Sequence, residues 1–341
     1  MTTSRGCPHA CIFCIGRRMV GARVRFHGPA RVASELERLA RLGFHQVNLA
    51  DDLFTADRRR CAAVCDEILR RGLTVKWTSF ARVDTVSEPL LTKMRSAGCT
   101  AVSFGIESAN PGILKTVRKG IRVEQVVEAV GMCARAGVTP FASFILGLPG
   151  ETPETLRETI EFGKRLEEHG LVYGFHLLAP FPGTEVRERA AELGLRILTS
   201  DWPAYHANRA VTETGSVSRE MLDAIAIEWE ERFNGYLADI KKRMQSGTAA
   251  PDEAHQVINL ERIVCVYDLM MKRIIEQAGT WSAADRSEAD AGLNGLIERV
   301  QKAAGGNPDA IRDALEAAVR QDHLVCERGH GLISWRWRDY L

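Results

Sequence analysis

TAVSFGIES (residues 100–108), VEQVVEAVGMCARA (123–136) and VTPFASFILGLPGE (138–151) follow one another along the chain. The outer two are short runs of β-branched and aromatic residues ending in glycine or a carboxylate. The middle one repeats apolar residues at three- and four-residue intervals. Strand, helix, strand predicts a β-α-β unit with parallel strands. The alternation extends in both directions. HQVNLADD (45–52) and LTVKWTSFAR (73–82) read as strands, with helices over 31–42, 58–71 and 88–97. A helix over 155–168 leads to a last strand, LVYGFHLLAPFPGTE (171–185). Counting a stub at Met1–Ser4, this makes six units, too few to close like the eight of a full β/α barrel. The expected fold is therefore α/β, a partial six-unit (β/α) barrel over residues 1–200. Residues 201–341 read as a mainly helical domain serving as lid or substrate domain. Its helices are expected at 218–244, 253–277, 283–304 and 309–321, with a final hairpin turning at 328–331.

Bulk composition narrows the function classes. Hydrophobic residues make up 45% of 341, enough for a substantial core, and 45 Lys+Arg balance 44 Asp+Glu. No basic excess is present to grip a phosphate backbone, so nucleic-acid binding is not expected. No apolar run approaches the ~20 residues of a membrane span, and no charged-then-apolar leader precedes the first cysteine. The nine cysteines are too sparse for a disulfide framework. A cytoplasmic, reducing location is expected. Only Met1–Ser4 stand before the cysteine-bearing loop, so either the barrel starts there or upstream sequence has been lost.

In parallel barrels chemistry sits at the C-terminal ends of strands, and the motifs of this chain fall there. The N-terminal loop carries Cys7, Cys11 and Cys14 in CxxxCxxC spacing, with Gly6, Pro8 and Phe13 around them. Three thiolates so close cannot all form disulfides with one another but can converge on a metal centre. Iron–sulfur clusters usually take four cysteines, so three leave one iron of a cubane without a protein ligand. With His9 as a fourth donor the same loop would suit zinc.

CxxxCxxC with an aromatic before the last cysteine resembles the signature of the radical S-adenosylmethionine (radical SAM) enzymes. GIES followed by a helix ending in KG (105–120) resembles that superfamily as well. The resemblance implies a 4Fe–4S cluster on Cys7, Cys11 and Cys14 whose open iron chelates the methionine part of S-adenosylmethionine. An electron then splits the sulfonium, and a 5′-deoxyadenosyl radical abstracts hydrogen from a small-molecule or peptide substrate. An electron donor such as flavodoxin or ferredoxin is implied. The cofactor-binding residues it implies are Phe13, Asp51 or Asp52 for the ammonium, Ser79 and Arg82 for the carboxylate, and Glu107 with Ser108 for the ribose. Ile145, Gly147 and Leu178 would approach the adenine or methionine. ADD at 50–52 departs from the Gly-Gly-Glu-like segment common in the family.

LADDLFT, FILGLPGET and PFPGTE look most like the branch that usually carries a cobalamin-binding domain. That branch includes methylases, ring-forming enzymes and a tetrapyrrole cyclase. No D-x-H-x-x-G stands in these 341 residues, so cobalamin is a possible cofactor whose domain is expected to be absent. Two other readings come from different classes: a methylthiolating RNA-modifying enzyme and a non-catalytic zinc scaffold. The remaining features read as structural. Asp57 is an N-cap, Lys119–Gly120 a helix end, Glu151 a helix-dipole partner, His176 an interior histidine, and Cys61 with Cys65 core residues. Cys99, Cys133, Cys265 and Cys326 are isolated. The alternation Trp335-Arg336-Trp337-Arg338 reads as a half-buried strand rather than a base-stacking face.

Overall fold

A computed structural model describes residues 1–282, 292–329 and 331–338. The chain divides into two compact units, Met1–Glu230 and Glu231–Leu341.

The first unit is built on a five-stranded parallel sheet: β1 (Gln46–Leu49), β2 (Lys76–Ala81), β3 (Cys99–Glu107), β4 (Thr139–Leu146) and β5 (Val172–Leu177), in that order. Helices α1 (Pro29–Arg41), α2 (Arg58–Arg70), α3 (Glu88–Ser96), α4 (Val123–Ala136) and α5 (Pro153–Glu167) alternate with the strands. Asp57 caps α2 as expected, accepting from Arg59 N at 2.9 Å and Arg60 N at 3.0 Å. Gly137, at φ 68°, ends α4 in the left-handed conformation that glycine adopts without strain.

The expected first strand is reduced to one residue. The Met1 ammonium donates to Asn48 O at 2.7 Å and Ala50 N donates to Met1 O at 2.8 Å, a single parallel step along the edge of β1. Ser4–Arg5 instead pairs antiparallel with Arg25–Phe26. Five parallel strands plus Met1 thus stand where six units were expected. The chain leaves the edge of β1 after Met1 because Ser4 and Arg5 are taken up by Phe26 and Arg25.

Side chains alternate across each strand, and the two faces differ. Val47, Leu49, Trp77, Val102, Phe104, Phe144 and Tyr173 are buried in one core with Leu36, Val64, Leu91 and Val130 of the helices. The opposite face bears Asn48, Thr78, Phe80, Ser103, Ser143, Ile145 and His176, none of them buried. It is the open, concave side of a partial barrel. His176 is exposed there, not enclosed as expected, because Tyr173, Phe175 and Leu177 take the helix-facing positions of β5.

The second unit contains α7 (Pro251–Met271), α8 (Leu293–Ala304) and α9 (Pro308–Arg320), and α6 (Arg219–Gln245) runs across the boundary between the units. The expected helix over 283–304 is described from Leu293 onward; residues 283–291 lie outside the described residues. The expected hairpin forms from Leu324–Gly329 and Leu332–Trp337, and Thr280–Ser282 adds a third strand beside Leu332–Trp337. His330 lies outside the described residues. Trp335 is buried with Leu296, Ile297 and Leu315, while Arg336 pairs with Glu327 at 2.8 Å. The unit boundary comes later than residue 200 because residues 201–230 pack onto the sheet of the first unit. Leu177 N donates to Ala207 O at 2.7 Å, and Val217 and Leu222 share a core with Leu146 and Leu177.

Candidate active site

The cysteine loop is fastened to the first unit by its backbone. Ile12, between Cys11 and Cys14, donates to Val117 O at 3.2 Å and accepts from Val186 N at 3.1 Å. Cys7 N donates to Gly21 O at 3.1 Å. At Gly6 only glycine fits, since a Cβ would lie 2.3 Å from Arg23 O. Cys14 N bonds to Cys11 O at 3.2 Å, and Gly16 N reaches Cys14 Sγ at 3.3 Å. All nine cysteines are free. Burial pushes the Cys7 and Cys11 thiols up; the positive charges of Lys119 and then Arg82 pull Cys11 the other way. Cys61 and Cys65 are buried in the core.

The two aspartates after β1 tie down this loop. Asp51 is buried and accepts from Thr3 N, Thr3 Oγ1 and Ser4 Oγ at 2.5, 2.5 and 2.7 Å. Three of the roughly four lone-pair positions of a carboxylate are thereby used. Asp52 Oδ2 accepts from Gly6 N at 2.9 Å. Asp51 therefore anchors the N-terminal segment, and Asp52 stands beside the cysteine loop itself.

Other expected residues divide between the two faces. Ser79 shares the helix-facing side of β2 with Trp77 and Ala81, so it points away from the open face; its buried Oγ has no partner among the described residues. This corrects the expectation for Ser79, for the period-two alternation presents Thr78 and Phe80 instead. Ser108 likewise turns to α5, where its Oγ lies 3.2 Å from Thr159 Oγ1 and accepts from Asn110 N. Arg82 is held bidentately by Asp84, at 3.0 and 2.9 Å, and donates to Lys119 O at 2.9 Å.

Glu107 behaves differently. Its φ of 72° is a left-handed conformation that costs a non-glycine residue strain. The carboxylate folds back over Gly105, whose missing Cβ would lie 2.4 Å from Glu107 Oε1. There it accepts from Lys119 Nζ at 2.6 Å in an ion pair with both side chains buried. The same ammonium lies 6.0 Å from the centre of the Phe13 ring. Lys119, read from sequence as part of a helix end, thus joins the strand end to the cysteine loop. Its signal in the sequence was present only as the spacing between GIES and KG.

Phe13, Ile145 and Leu178 are brought together in one small apolar cluster with Ile12, Ile113 and Leu148. Gly147, at φ 87°, makes the turn out of β4, and a Cβ on it would lie 3.0 Å from Leu222 Cδ1. Glu151 Oε2 accepts from Gly147 N at 2.6 Å and Leu148 N at 3.0 Å, bracing that turn rather than only complementing a helix dipole. Its other oxygen has no partner among the described residues, and burial pushes its carboxyl up to about 8.

These residues fit a thiolate-bound cluster with a ligand beside it. Three thiols share one short loop without a fourth protein donor on it except His9. Among the described residues no three His, Cys, Asp or Glu side chains are gathered as for a single metal ion. A cubane spreads its thiolates over separate irons. Two buried cations, Arg82 and Lys119, and an apolar wall complete the surroundings. No helix of the described residues is long and apolar enough to cross a membrane.

Comparison with known proteins agrees. The sequence model of the Radical SAM superfamily matches residues 1–163. An uncharacterized methyltransferase of Pyrococcus horikoshii is 38% identical over 205 residues, covering 60% of this chain and 44% of that protein. The anaerobic magnesium-protoporphyrin IX monomethyl ester cyclase of Rubrivivax gelatinosus is 30% identical over 67% of this chain and 41% of its own length. Among solved structures, the radical SAM methyltransferase TsrM of Kitasatospora setae, with cobalamin and a [4Fe–4S] cluster bound, matches with a TM-score of 0.53 and 26% identity. That match covers 59% of this chain and 39% of TsrM. The chain spans less than half the length of each of these three proteins. Radical SAM enzymes use a 4Fe–4S cluster and S-adenosylmethionine, and residues 1–163 of this chain are a domain of that superfamily.

Proposed function

We propose that the first unit is the catalytic core of a radical SAM enzyme acting on a small-molecule or peptide substrate, with methyl transfer as the reaction class. The observation that carries this reading is the loop of three thiols fixed by Ile12 to Val117 and Val186, with the Glu107–Lys119 pair beside it. Bound there, a 4Fe–4S cluster and S-adenosylmethionine supply one-electron reduction of a sulfonium and the hydrogen abstraction that follows. Cys7, Cys11 and Cys14 hold iron. Lys119 and Arg82 place positive charge next to Cys11, offsetting the cost of burying a thiolate. Asp52 supplies the acceptor for a ligand ammonium, because Asp51 is already committed to Thr3 and Ser4. Phe13, Ile145 and Leu178 form a dry wall for a nucleoside, and the ribose falls to Glu107.

Methyl transfer is supported by the Pyrococcus horikoshii relative and by TsrM. Cobalamin is a candidate cofactor on the strength of TsrM, which has it bound. A reductant of the flavodoxin or ferredoxin kind is required. The RNA-modifying reading is weaker, since net charge is +1 and Trp335 is buried.

The test is anaerobic reconstitution with iron and sulfide, followed by S-adenosylmethionine and a strong reductant. Wild type should release 5′-deoxyadenosine and Cys11→Ala should not, a loss of at least about a hundredfold for a change of ~3 kcal/mol in the barrier. Turnover retained in Cys11→Ala, or zinc without sulfide in the purified protein, would overturn the reading.

A further inference from the structure

Beyond the C-terminal end of β5, three aromatic rings and an arginine form a shelf that the cofactor site does not use. Phe181 and Trp202 are 45% and 49% exposed, whereas Tyr205 between them is buried. The Tyr205 ring centre is 6.2 Å from that of Phe181 and 4.9 Å from that of Trp202. Arg187 underpins the group. Its guanidinium lies 4.9 Å from the Trp202 centroid and donates to Pro180 O at 3.0 Å and Tyr205 Oη at 3.1 Å. Tyr205 Oη in turn donates to Thr199 O at 2.7 Å. These bonds fix Arg187 and Tyr205 to the strand end, and the two exposed rings pack against that support, which lowers the side-chain freedom lost when something stacks on them.

The shelf adjoins the cysteine loop. A Cβ on Gly183, between Phe181 and Val186, would lie 2.7 Å from Ile15 Cδ1, and Ile15 follows Cys14. The same position lies 3.9 Å from Arg18 Nη1. Arg18 is exposed and has no ion pair among the described residues, unlike Arg118 and Arg189, which pair with Glu185. Two anchored, exposed aromatic rings beside an uncommitted guanidinium match a flat conjugated ring carrying a carboxylate.

We propose that Phe181 and Trp202 form the stacking surface for a planar, conjugated carboxylic acid substrate, with Arg18 receiving its carboxylate. This rests on the first unit being a radical SAM core, and it names the substrate class of that core. The cyclase of Rubrivivax gelatinosus, named for a protoporphyrin, is a relative whose substrate has this character.

The test measures binding, not turnover, with the anaerobically reconstituted full chain. Protoporphyrin IX and L-tryptophan serve as flat probes, and cyclohexanecarboxylate as a non-planar acid. Trp202→Ala and Phe181→Ala should each weaken the flat probes about fivefold to tenfold, as expected for the loss of one aromatic contact. Trp202→Phe should retain most of the affinity. Arg18→Gln should weaken protoporphyrin IX and leave indole, which lacks a carboxylate, unchanged. All four variants should keep the wild-type iron content and release of 5′-deoxyadenosine without a probe, because none of these residues touches the cysteines. Equal affinity of wild type and Trp202→Ala for both flat probes, or tighter binding of the non-planar acid, would overturn the proposal. Probe binding by a protein that assembles no cluster would leave the shelf standing and defeat the radical SAM reading instead.

Discussion

Glu151 bears the largest electrostatic cost of any carboxylate near the site. It is 1% exposed, and burial raises its carboxyl from 4.5 to about 8 against two backbone donors that favour the charged form. Below pH 4.5 the group is protonated in both folded and unfolded chains. Between pH 4.5 and about 8 only the unfolded chain ionises, so stability is lost as pH rises through that window and then levels off. At ~1.4 kcal/mol per unit the total is of the order of a few kcal/mol. Glu151→Gln keeps an acceptor for Gly147 N and Leu148 N but cannot ionise. Urea unfolding of the two proteins from pH 4.5 to 8.5 should show wild type falling steadily relative to the variant; parallel curves would mean that Glu151 is already charged. Lys119 and Glu107 form a buried ion pair. Each neutralises the other in a buried pair, and removing one partner of such a pair costs about 3–5 kcal/mol.

At the scale of elements, the packing of α5 on β5 depends on a missing side chain. A Cβ on Gly163 would lie 2.6 Å from Tyr173 Cε2 and 2.9 Å from Cδ2. The Tyr173 ring is clamped by Phe144, Phe175 and Trp229, at centroid distances of 6.0, 5.6 and 4.9 Å. Gly163→Ala gains about 1 kcal/mol in helix propensity, but overpacking costs about 1–3 kcal/mol. The predicted net effect is a loss of stability of up to ~2 kcal/mol in denaturant melts. A gain would show that the ring can move aside. The cysteine loop depends on elements in the same way, since its geometry is set by Val117, Val186 and Asp52, which are distant in sequence.

Over the whole molecule, each unit has its own core. Leu296 is fully buried in the second, among Ile275, Ile297 and Leu315. Leu296→Ala should cost about 2–5 kcal/mol there. Calorimetry should then show two transitions with only one displaced; a single transition moving as a whole would mean that the units melt together. The parallel α/β architecture, the three-cysteine loop and the helical character of the C-terminal part were all legible in the sequence. They rest on short-range periodicity and spacing, which a chain expresses locally. The neighbours of each residue were not legible. Asp51 and Asp52 looked alike at the end of one strand, yet Asp51 is used up by Thr3 and Ser4 while Asp52 meets Gly6. Lys119 looked like a helix end, but folding lays its ammonium on Glu107 and close to Phe13. Ser79 fell at the right strand end and on the wrong face. Phe181, Trp202 and Arg18 come from separate stretches, and no spacing foretells that they share a surface. The sequence by itself determined which elements form and which chemical groups they carry, because hydrophobic period and turn residues act within a few positions. Only the tertiary structure decided which of those groups face one another, because burial and hydrogen bonding pair residues that lie far apart along the chain.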